Sequence, residues 1–210
     1  MSRYERNFPA FSEADFERIQ HATVCVVGCG GLGGYIIEML ARVGIGALIL
    51  IDGDVFEDSN QNRQIFSTEK NLGTPKVKAA AARVKLINKE VSTTYYHDFL
   101  DQENGSALIG AADLVVDALD NVPARLTLQP LCKEKNIPLI HGAIGGWFAQ
   151  VTTVFPEDDT LSRLYAGEKE YDAWLDRKDK GTPVNDALIK DILDIKAELG
   201  LDQYHFPFEK

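Results

Sequence analysis

The chain has 210 residues and carries 22 Lys and Arg against 32 Asp and Glu, which gives a formal net charge of −10 at pH 7. Its hydrophobic content of 45% and charged content of 26% are those of a folded globular domain and exclude intrinsic disorder as the main state. The acidic balance argues against nucleic acid or an anionic membrane as a partner, because either would require a basic face.

The cysteines and the N-terminal residues indicate where such a protein works. Cys25, Cys29 and Cys132 are too few for a disulfide framework, and none belongs to a C-x2-C pair. Residues 1–20 are mixed and charged, and no apolar run approaches the roughly 20 residues needed to cross a bilayer. We therefore predict a soluble, cytoplasmic protein without a zinc site, whose cysteines are structural.

The first predicted elements are a helix, a strand, a glycine loop and a second helix. Ser12 opens a capping-box pattern that predicts a helix over 13–20, and the β-branched run Thr23–Val27 predicts a strand. The glycine-rich stretch 28–33 follows at once. Apolar residues at helical spacing come next, until Gly44 ends the helix.

A second strand and a crossover helix continue the pattern. The continuous apolar run Ala47–Ile51 lacks polar alternation, which is typical of a parallel sheet covered on both faces. After a polar loop over 53–74, Pro75 is placed as the first residue of a helix. The apolar stripe of that helix consists of Val77, Ala81, Val84 and Ile87.

The remaining elements complete an α/β fold. A helix is predicted from about Asn121 to residue 135. The predicted strands cover residues 93–99, 113–116, 137–141 and 150–155, the first of them at an edge of the sheet. The expected fold is a Rossmann-like, mostly parallel sheet with helices on both faces.

The chain changes character near residue 156. Residues 157–210 are more charged and less apolar, with helices predicted over 161–177 and 182–200. We therefore expect the main body of the domain over 1–156 and a crossover and helical appendage of the same domain over 157–210.

The glycine pattern predicts a nucleotide-binding loop. Gly28, Gly30 and Gly33 are spaced as G-x-G-x-x-G, which lets the backbone turn tightly and bring its amides and a helix N-terminus against a phosphate. Asp52 lies 52 − 33 = 19 residues further on, where a carboxylate can accept hydrogen bonds from both ribose hydroxyls. This pattern by itself does not separate a mononucleotide from a dinucleotide.

The loop that begins at Asp52 separates the chain from an ordinary dehydrogenase. It reads Asp52-Gly-Asp54-Val-Phe-Glu-Asp-Ser59-Asn60-Gln61-Asn62-Arg63-Gln64. Together with the glycine loop, it resembles the adenylation domain of the superfamily that contains the ubiquitin-activating enzymes and the bacterial ThiF, MoeB and HesA adenylyltransferases.

Four further segments carry the same resemblance. Lys76, in G-T-P-K-V, matches the family's lysine for ATP phosphate, and Asp117-Ala-Leu-Asp120-Asn121 matches its strand-end D-x-x-D-N motif. The stretch from Gly145 to Gln150 resembles its G-x-x-x-Q element, and residues 3–6 resemble its R-Y-x-R. These matches occur in order over about three quarters of the chain.

The resemblance implies ATP and Mg²⁺ as cofactors. Four residues would act on the phosphates: Arg6, Arg63, Lys76 and Asp120, the last as the Mg²⁺ ligand. The nucleotide would be bound by Gly28, Gly30, Gly31, Gly33, Asp52, Asp54, Ser59, Asn60, Gln61, Asn62, Arg63, Gln64, Lys76, Asp120 and Asn121. These residue types suit the chemistry, because attack of a carboxylate on the α-phosphorus of ATP requires positioning and cations around the phosphates.

The resemblance also implies a reaction and partners. The protein would convert the C-terminal carboxylate of a small ubiquitin-like sulfur-carrier protein, ending in Gly-Gly, into an acyl-adenylate with release of pyrophosphate. Arg6 matches the arginine that relatives insert into the neighbouring subunit's active site, so a homodimer is expected. No cysteine follows Cys132, which argues against transfer of the activated carrier to a thiol and against a zinc site.

Three alternatives stay open. An NAD-dependent oxidoreductase would explain the glycine loop and Asp52, although it needs no clamp of Arg63, Lys76 and Asp120 for a triphosphate. A nucleotide-binding subunit without catalysis would explain the missing cysteine. An adenylyltransferase could also act on a small-molecule or RNA-bound acceptor, because relatives share the ATP site and differ in the acceptor.

Overall fold

Six strands form one sheet in the order β3-β2-β1-β4-β5-β6, in a computed structural model that describes residues 3–165 and residues 190, 193, 194, 196 and 197. The first five strands are parallel and β6 is antiparallel to β5. The strands are β1 (Thr23–Val27), β2 (Ala47–Ile51), β3 (Ser92–Tyr96), β4 (Leu114–Asp117), β5 (Leu139–Gly145) and β6 (Phe148–Val154). The predicted Rossmann-like α/β fold is confirmed.

Helices cover both faces of this sheet. They are α1 (Glu13–His21), α2 (Gly31–Val43), α3 (Lys76–Ile87), α4 (Gly105–Ile109), α5 (Val122–Glu134) and α6 (Thr160–Tyr165). One apolar cluster joins β1 and β2 to α2 and α3, and its fully buried members include Val26, Ile37 and Val84. The second joins the sheet to α5 and α6 around Leu128 and Leu161. The apolar strands are therefore buried on both sides, as parallel strands require.

The order of the strands places a crevice at one edge of the sheet. From β1 the chain passes outward to β2 and β3, then returns to pair β4 on the other side of β1. The loops that leave β1 and β4 therefore diverge at their carboxyl ends, which is where ligands bind in open α/β sheets. Helices α2, α3 and α5 begin at this edge, directed there by the loops that follow β1, β2 and β4.

Several predicted bounds differ from the structure. Pro75 is the N-cap residue of α3 rather than its first helical residue. The outer strand ends at Tyr96 instead of residue 99, and β5 continues to Gly145 because it pairs with β6 along its length. Helix α4 was not predicted, because its five residues, which end at Ile109 before the C-cap Gly110, show too little apolar periodicity.

The described residues up to Tyr165 belong to one compact unit. The predicted helix over 161–177 begins at Thr160, and its residues after Tyr165 lie outside the described part. The predicted helix over 182–200 lies largely outside it too, although the five described residues there are helical. No helix in the described ranges is long and apolar enough to cross a membrane.

Close backbone contact shapes the glycine loop. Gly28 has φ of +97°, and a Cβ atom there would lie 2.6 Å from the carbonyl oxygen of Ala118 on the loop after β4. A Cβ atom on Gly33 would lie 1.8 Å from the Gly28 carbonyl oxygen. Around Gly31, in contrast, only the Arg63 side chain comes as near as 4.0 Å. Gly28 and Gly33 are therefore required by geometry, whereas Gly31 is not.

A buried carboxylate joins α2 to α3. Glu38 on α2 accepts hydrogen bonds from Arg83 on α3, at 2.9 Å to each oxygen, and from Arg42 at 2.9 and 2.5 Å. The side chain of Glu38 is 9% exposed and those of its partners are about half exposed. The hydrogen bonds from Arg83, followed by those from Arg42, hold the pKa of Glu38 below its usual 4.5.

Glu38→Gln is expected to lower the free energy of unfolding near pH 7 by about 1 to 2 kcal/mol, because two ion pairs are replaced by contacts between a charged guanidinium and a neutral amide. The loss is limited because the arginines are half exposed. A carboxyl whose folded pKa is lowered contributes fully above its unfolded pKa and loses this contribution as the pH falls. The difference between the variant and the wild type should therefore narrow as the pH falls below the usual 4.5 in urea titrations. Exposed Glu103→Gln is the control, and an E38Q effect that is independent of pH would contradict the ion-pair explanation.

Gly33→Ala should destabilise the fold by about 3 kcal/mol or more, because the new methyl group overlaps the Gly28 carbonyl. Gly31→Ala, two residues away on the same helix, should change stability by less than about 1 kcal/mol in either direction. Thermal unfolding of the two variants checks this pair. Equal destabilisation would show that backbone crowding does not determine the loop.

Candidate functional site

A cavity of about 1090 Å³ lies at the carboxyl edge of the sheet, where β1 and β4 diverge. Its walls come from the glycine loop, the end of β2 with the following loop, the start of α3, and the turn after β4. The predicted residues that line it are Gly28, Gly30, Gly31, Asp52, Asp54, Asn62, Arg63, Gln64, Lys76, Asp120 and Asn121. The fold thus brings eleven residues from four separate segments into one site.

Asp52 connects the end of β2 to the glycine loop. One carboxylate oxygen accepts from the Cys29 backbone N–H at 2.7 Å and the other from the Asp54 N–H at 2.8 Å. Burial raises the pKa of Asp52 above its usual 3.8, and these two backbone hydrogen bonds oppose that shift. Each carboxylate oxygen has a second lone pair, so Asp52 can accept further hydrogen bonds from a ligand hydroxyl.

Lys76 is a buried cation at the first residue of α3. Its side chain is 9% exposed, and its Nζ lies 2.7 Å from a carboxylate oxygen of Asp54, whose side chain is 52% exposed. The Lys76 backbone N–H also donates to the Asp54 carbonyl at 3.0 Å. Asp54 thus balances the desolvation cost of the lysine and keeps its ammonium group at the wall of the cavity.

Arg63 is an exposed cation held by its own loop. Its Nη1 donates to the Ser59 carbonyl at 2.8 Å and to the Asn62 amide oxygen at 2.9 Å. Both acceptors are neutral, and within residues 3–165 Arg63 forms no ion pair. The guanidinium charge is therefore oriented without being neutralised, which suits it to an anionic ligand.

Gln64 places an unpaired acceptor in the wall of the cavity. It is 7% exposed, and its Oε1 is buried without a hydrogen-bond partner. Its amide group lies against the glycine loop, where a Cβ atom on Gly30 would be 3.4 Å from its Nε2. An unpaired buried amide oxygen costs free energy, so a ligand hydroxyl or amino group that donates to it would recover that cost.

Asp120 and Asn121 form the turn between β4 and α5. Both are exposed and line the cavity. The Asn121 side chain caps α5 by accepting from the Ala124 N–H at 2.9 Å, so it stabilises the helix as well as lining the site. Among the described residues Asp120 takes part in no ion pair, which leaves a carboxylate available to a cation.

Five predicted site residues do not line the cavity. Gly33 lies behind the loop against Gly28. Ser59, Asn60 and Gln61 form the frame of the loop that carries Arg63. Asn60 is buried and its side chain accepts from the Glu57 N–H, while the Ser59 carbonyl accepts from Arg63. The full set is Gly33, Ser59, Asn60, Gln61 and Arg6.

Arg6 lies at the opposite end of α2 from the cavity. It belongs to a short 3-10 helix, Glu5–Asn7, whose Asn7 side chain donates to the Val43 carbonyl at 3.1 Å. Tyr4 is buried against Gly44, which ends α2. Helix α2 has 13 residues and spans about 20 Å, so the exposed Arg6 does not reach the cavity of its own chain.

The three cysteines are buried, and burial keeps their thiols protonated and therefore poor nucleophiles. Burial raises the pKa of Cys25 and of Cys29 well above the usual 9.0, and raises that of Cys132 to about 12. A thiol in this state carries almost no thiolate at neutral pH. In the described ranges no three His, Cys, Asp or Glu side chains cluster closely enough to hold a metal ion by themselves.

Several functional residues were not predicted from the sequence. Phe99 and Leu100, after β3, and Leu119, after β4, provide apolar wall. Arg125 on α5 also lines the cavity, although it is 7% exposed. A basic residue four positions after the Asn121 cap was the available signal for Arg125. The contribution of Phe99 had no local signal, because it depends on β3 lying beside β2.

Comparison with known proteins shows the family of the chain. The ThiF family model matches residues 3–192. The SAMP-activating enzyme E1 of Haloferax volcanii is 42% identical over 148 residues, which are 70% of this chain and 55% of that protein. The adenylyltransferase and sulfurtransferase MOCS3 of Arabidopsis thaliana is 38% identical over 152 residues, 71% of this chain and 33% of that protein.

A solved structure shows the same likeness. The tRNA N6-threonylcarbamoyladenosine dehydratase of E. coli, in complex with ATP, has 35% sequence identity and a TM-score of 0.66, over 70% of this chain and 61% of that one. The chain thus spans between one third and about two thirds of the length of these relatives. The extent of the family match and the ordered motifs around the cavity agree, and the chain belongs to the ThiF family of E1-like proteins.

Proposed function

We propose that the protein binds ATP with Mg²⁺ in this cavity and adenylates the C-terminal carboxylate of a small ubiquitin-like carrier protein. One observation carries the proposal: Arg63, Lys76 and Asp120 come from three separate segments and line the same cavity as the glycine loop. A nicotinamide dinucleotide would need the loop and Asp52, but it would not need two cations and a third carboxylate.

Each wall of the cavity suits a different part of ATP. The glycine loop and the N-terminus of α2 offer backbone amides and a positive dipole to phosphate oxygens. Asp52 offers acceptors for the ribose hydroxyls, and the unpaired oxygen of Gln64 offers an acceptor for a hydroxyl or an amino group. Acceptors at two separate walls match the hydroxyl and amino groups of a nucleoside, so these features support a complete nucleotide rather than phosphate alone.

Arg63 and Lys76 would neutralise the triphosphate. Arg63 forms no ion pair in the part of the chain that the structure describes, so it can give a phosphate a bidentate contact without losing another partner. The Lys76 ammonium group would bind a phosphate oxygen in addition to the Asp54 carboxylate. Both cations would help catalysis by stabilising charge on the phosphate oxygens while pyrophosphate leaves.

Asp120 fits a Mg²⁺ ligand that is completed by the nucleotide. Magnesium is commonly held by one or two protein carboxylates together with phosphate oxygens and water. Asp120 supplies one exposed carboxylate at the cavity, and no cluster of protein ligands is needed there. When bound, the ion would supply charge neutralisation between phosphate oxygens.

The acceptor is inferred from the relatives. The H. volcanii relative activates SAMP, as its name states, and MOCS3 is an adenylyltransferase. The E. coli relative that binds ATP acts instead on a tRNA nucleoside, so the family's ATP site serves more than one acceptor. We favour a carrier protein, because the SAMP-activating relative shares 42% of matched residues with this chain and the tRNA-modifying one shares 35%.

Calorimetric titration tests the nucleotide site without the carrier. The protein should bind Mg²⁺-ATP, and Arg63→Ala and Asp120→Ala should each weaken binding by about 1 to 3 kcal/mol through loss of a charge-assisted contact. Lys70→Ala is the matched control, because Lys70 is an exposed cation that the same loop carries away from the cavity. Saturable NAD binding that neither substitution changes would overturn the proposal. If Mg²⁺-ATP binds as expected, pyrophosphate exchange with candidate Gly-Gly carriers tests the acceptor.

Complementation tests whether Arg6 acts in a partner subunit. Arg6→Ala and Asp120→Ala should each abolish carrier-dependent pyrophosphate exchange alone. Co-expressed, they should recover about one quarter of wild-type activity, because half of randomly paired dimers are mixed and each mixed dimer has one complete site of two.

Arg18→Ala is the control for this experiment, because Arg18 is an exposed arginine on α1 near the same terminus. That variant should stay active alone. Absence of recovery in the mixed preparation would contradict a homodimer that shares Arg6.

A further inference from the structure

Behind the turn that carries Asp120 lies a closed ring of hydrogen bonds, named here the Asp117 ring. It is formed by the Leu119 backbone and the side chains of Asp117, Arg125, His141 and Tyr165. Asp117 and His141 are fully buried, and Arg125 is 7% exposed. Polar groups buried this deeply are costly unless each is paired, so their arrangement is specific.

The bonds run from Arg125, which donates along both arms of the ring, to Asp117, which accepts from both. His141 Nδ1 lies 2.6 Å from an Asp117 carboxylate oxygen, and the Tyr165 hydroxyl lies 3.0 Å from His141 Nε2. Arg125 donates to the Tyr165 oxygen and, through Nε at 3.1 Å, to the Leu119 carbonyl. The Leu119 N–H closes the ring by donating to the second Asp117 oxygen at 3.0 Å. An imidazole with its proton on Nδ1 satisfies both of its neighbours.

The ring holds the backbone of Leu119 at both of its polar groups. Asp117 holds the N–H and Arg125 holds the carbonyl, so the peptide units before Asp120 are restrained on both sides. Arg125 is also part of the cavity wall. A displacement of Arg125 would therefore move both the wall and the turn that presents Asp120.

Tyr165 is the member that comes from α6, after the sheet in the chain. It is the last residue of α6, and its ring meets His141 edge to face at a centroid distance of 5.6 Å. Helix α6 is attached to α5 independently, because the Gln129 amide donates to the Asp158 carbonyl and accepts from the Ser162 N–H, each at 2.9 Å. Loss of the Tyr165 hydroxyl alone would thus leave α6 attached.

We propose that Tyr165 is a positioning residue for the nucleotide site: through Arg125 it orients the turn that carries Asp120. The inference rests on the proposed function only where it concerns ATP. It assigns the end of α6 to the ATP-binding machinery, beyond the expected domain boundary at residue 156. Tyr165 touches neither the cavity nor Asp120, so it acts by geometry.

Tyr165→Phe tests this, because it removes the hydroxyl and keeps the ring. We expect the Leu119 amide of the nucleotide-free protein to exchange with solvent about tenfold faster by NMR, and the Kd for Mg²⁺-ATP to rise about tenfold, as for a lost charge-assisted hydrogen bond. Gln129→Leu is the matched control: it weakens the attachment of α6 without touching the ring. It should lower the melting temperature with little effect on either measurement.

A double variant separates positioning from general loss of stability. If Tyr165 acts through Arg125, adding Tyr165→Phe to Arg125→Ala should change ATP affinity by less than about twofold, since coupled residues are not additive. Additive effects, or a Tyr165→Phe variant that behaves like Gln129→Leu, would overturn the inference. If the wild type fails to bind Mg²⁺-ATP, the proposed function fails, while Leu119 exchange in Tyr165→Phe still decides whether the ring positions the turn.

Discussion

The contact among Gly28, Gly33 and Ala118 is the constraint on which the site depends. Because Gly28 and Gly33 have no side chains, the loop after β1 can pack against the loop after β4, and α2 can pack directly against the Gly28 backbone. This proximity brings the two loops together at the wall of the cavity. Because a single methyl group would overlap backbone atoms there, no neighbouring side chain can adjust to relieve the clash.

Electrostatics in the cavity follow from how each cation is held. Lys76 is desolvated and balanced by Asp54, Arg63 is held by neutral oxygens, and Arg125 is bound within the Asp117 ring. The three positive groups are therefore oriented before any ligand arrives, which lowers the reorganisation that binding an anion requires. The cavity is not basic by count, since its lining carries these three cations beside five carboxylates, Asp52, Asp54, Asp98, Asp101 and Asp120. Its attraction for a phosphate therefore depends on where the cations are held rather than on net charge.

Much of the fold could be predicted because its signals are local. The predictions of β1 and β2 agree with the structure to the residue, since continuous apolar runs bounded by Gly28 and Asp52 admit one assignment. Strand β5 was predicted too short, since its last residues are strands only because β6 pairs with them. In the loop after Asp52, the motif did not separate residues that line the cavity from those that form its frame, because Asn60 and Arg63 differ in burial rather than in spacing.

The sequence by itself determined the fold class, the family and eleven of the residues that line the cavity. All three follow from short sequence patterns, because the residues of each pattern lie in a single strand, helix or loop. The tertiary structure decided which polar groups have hydrogen-bond partners. It leaves the Gln64 side-chain oxygen without one, and it joins Asp117 to His141 and Arg125 to Tyr165. Those contacts connect residues 24 and 40 positions apart, and no local spacing encodes them, because they arise only when separate helices and strands pack against one another.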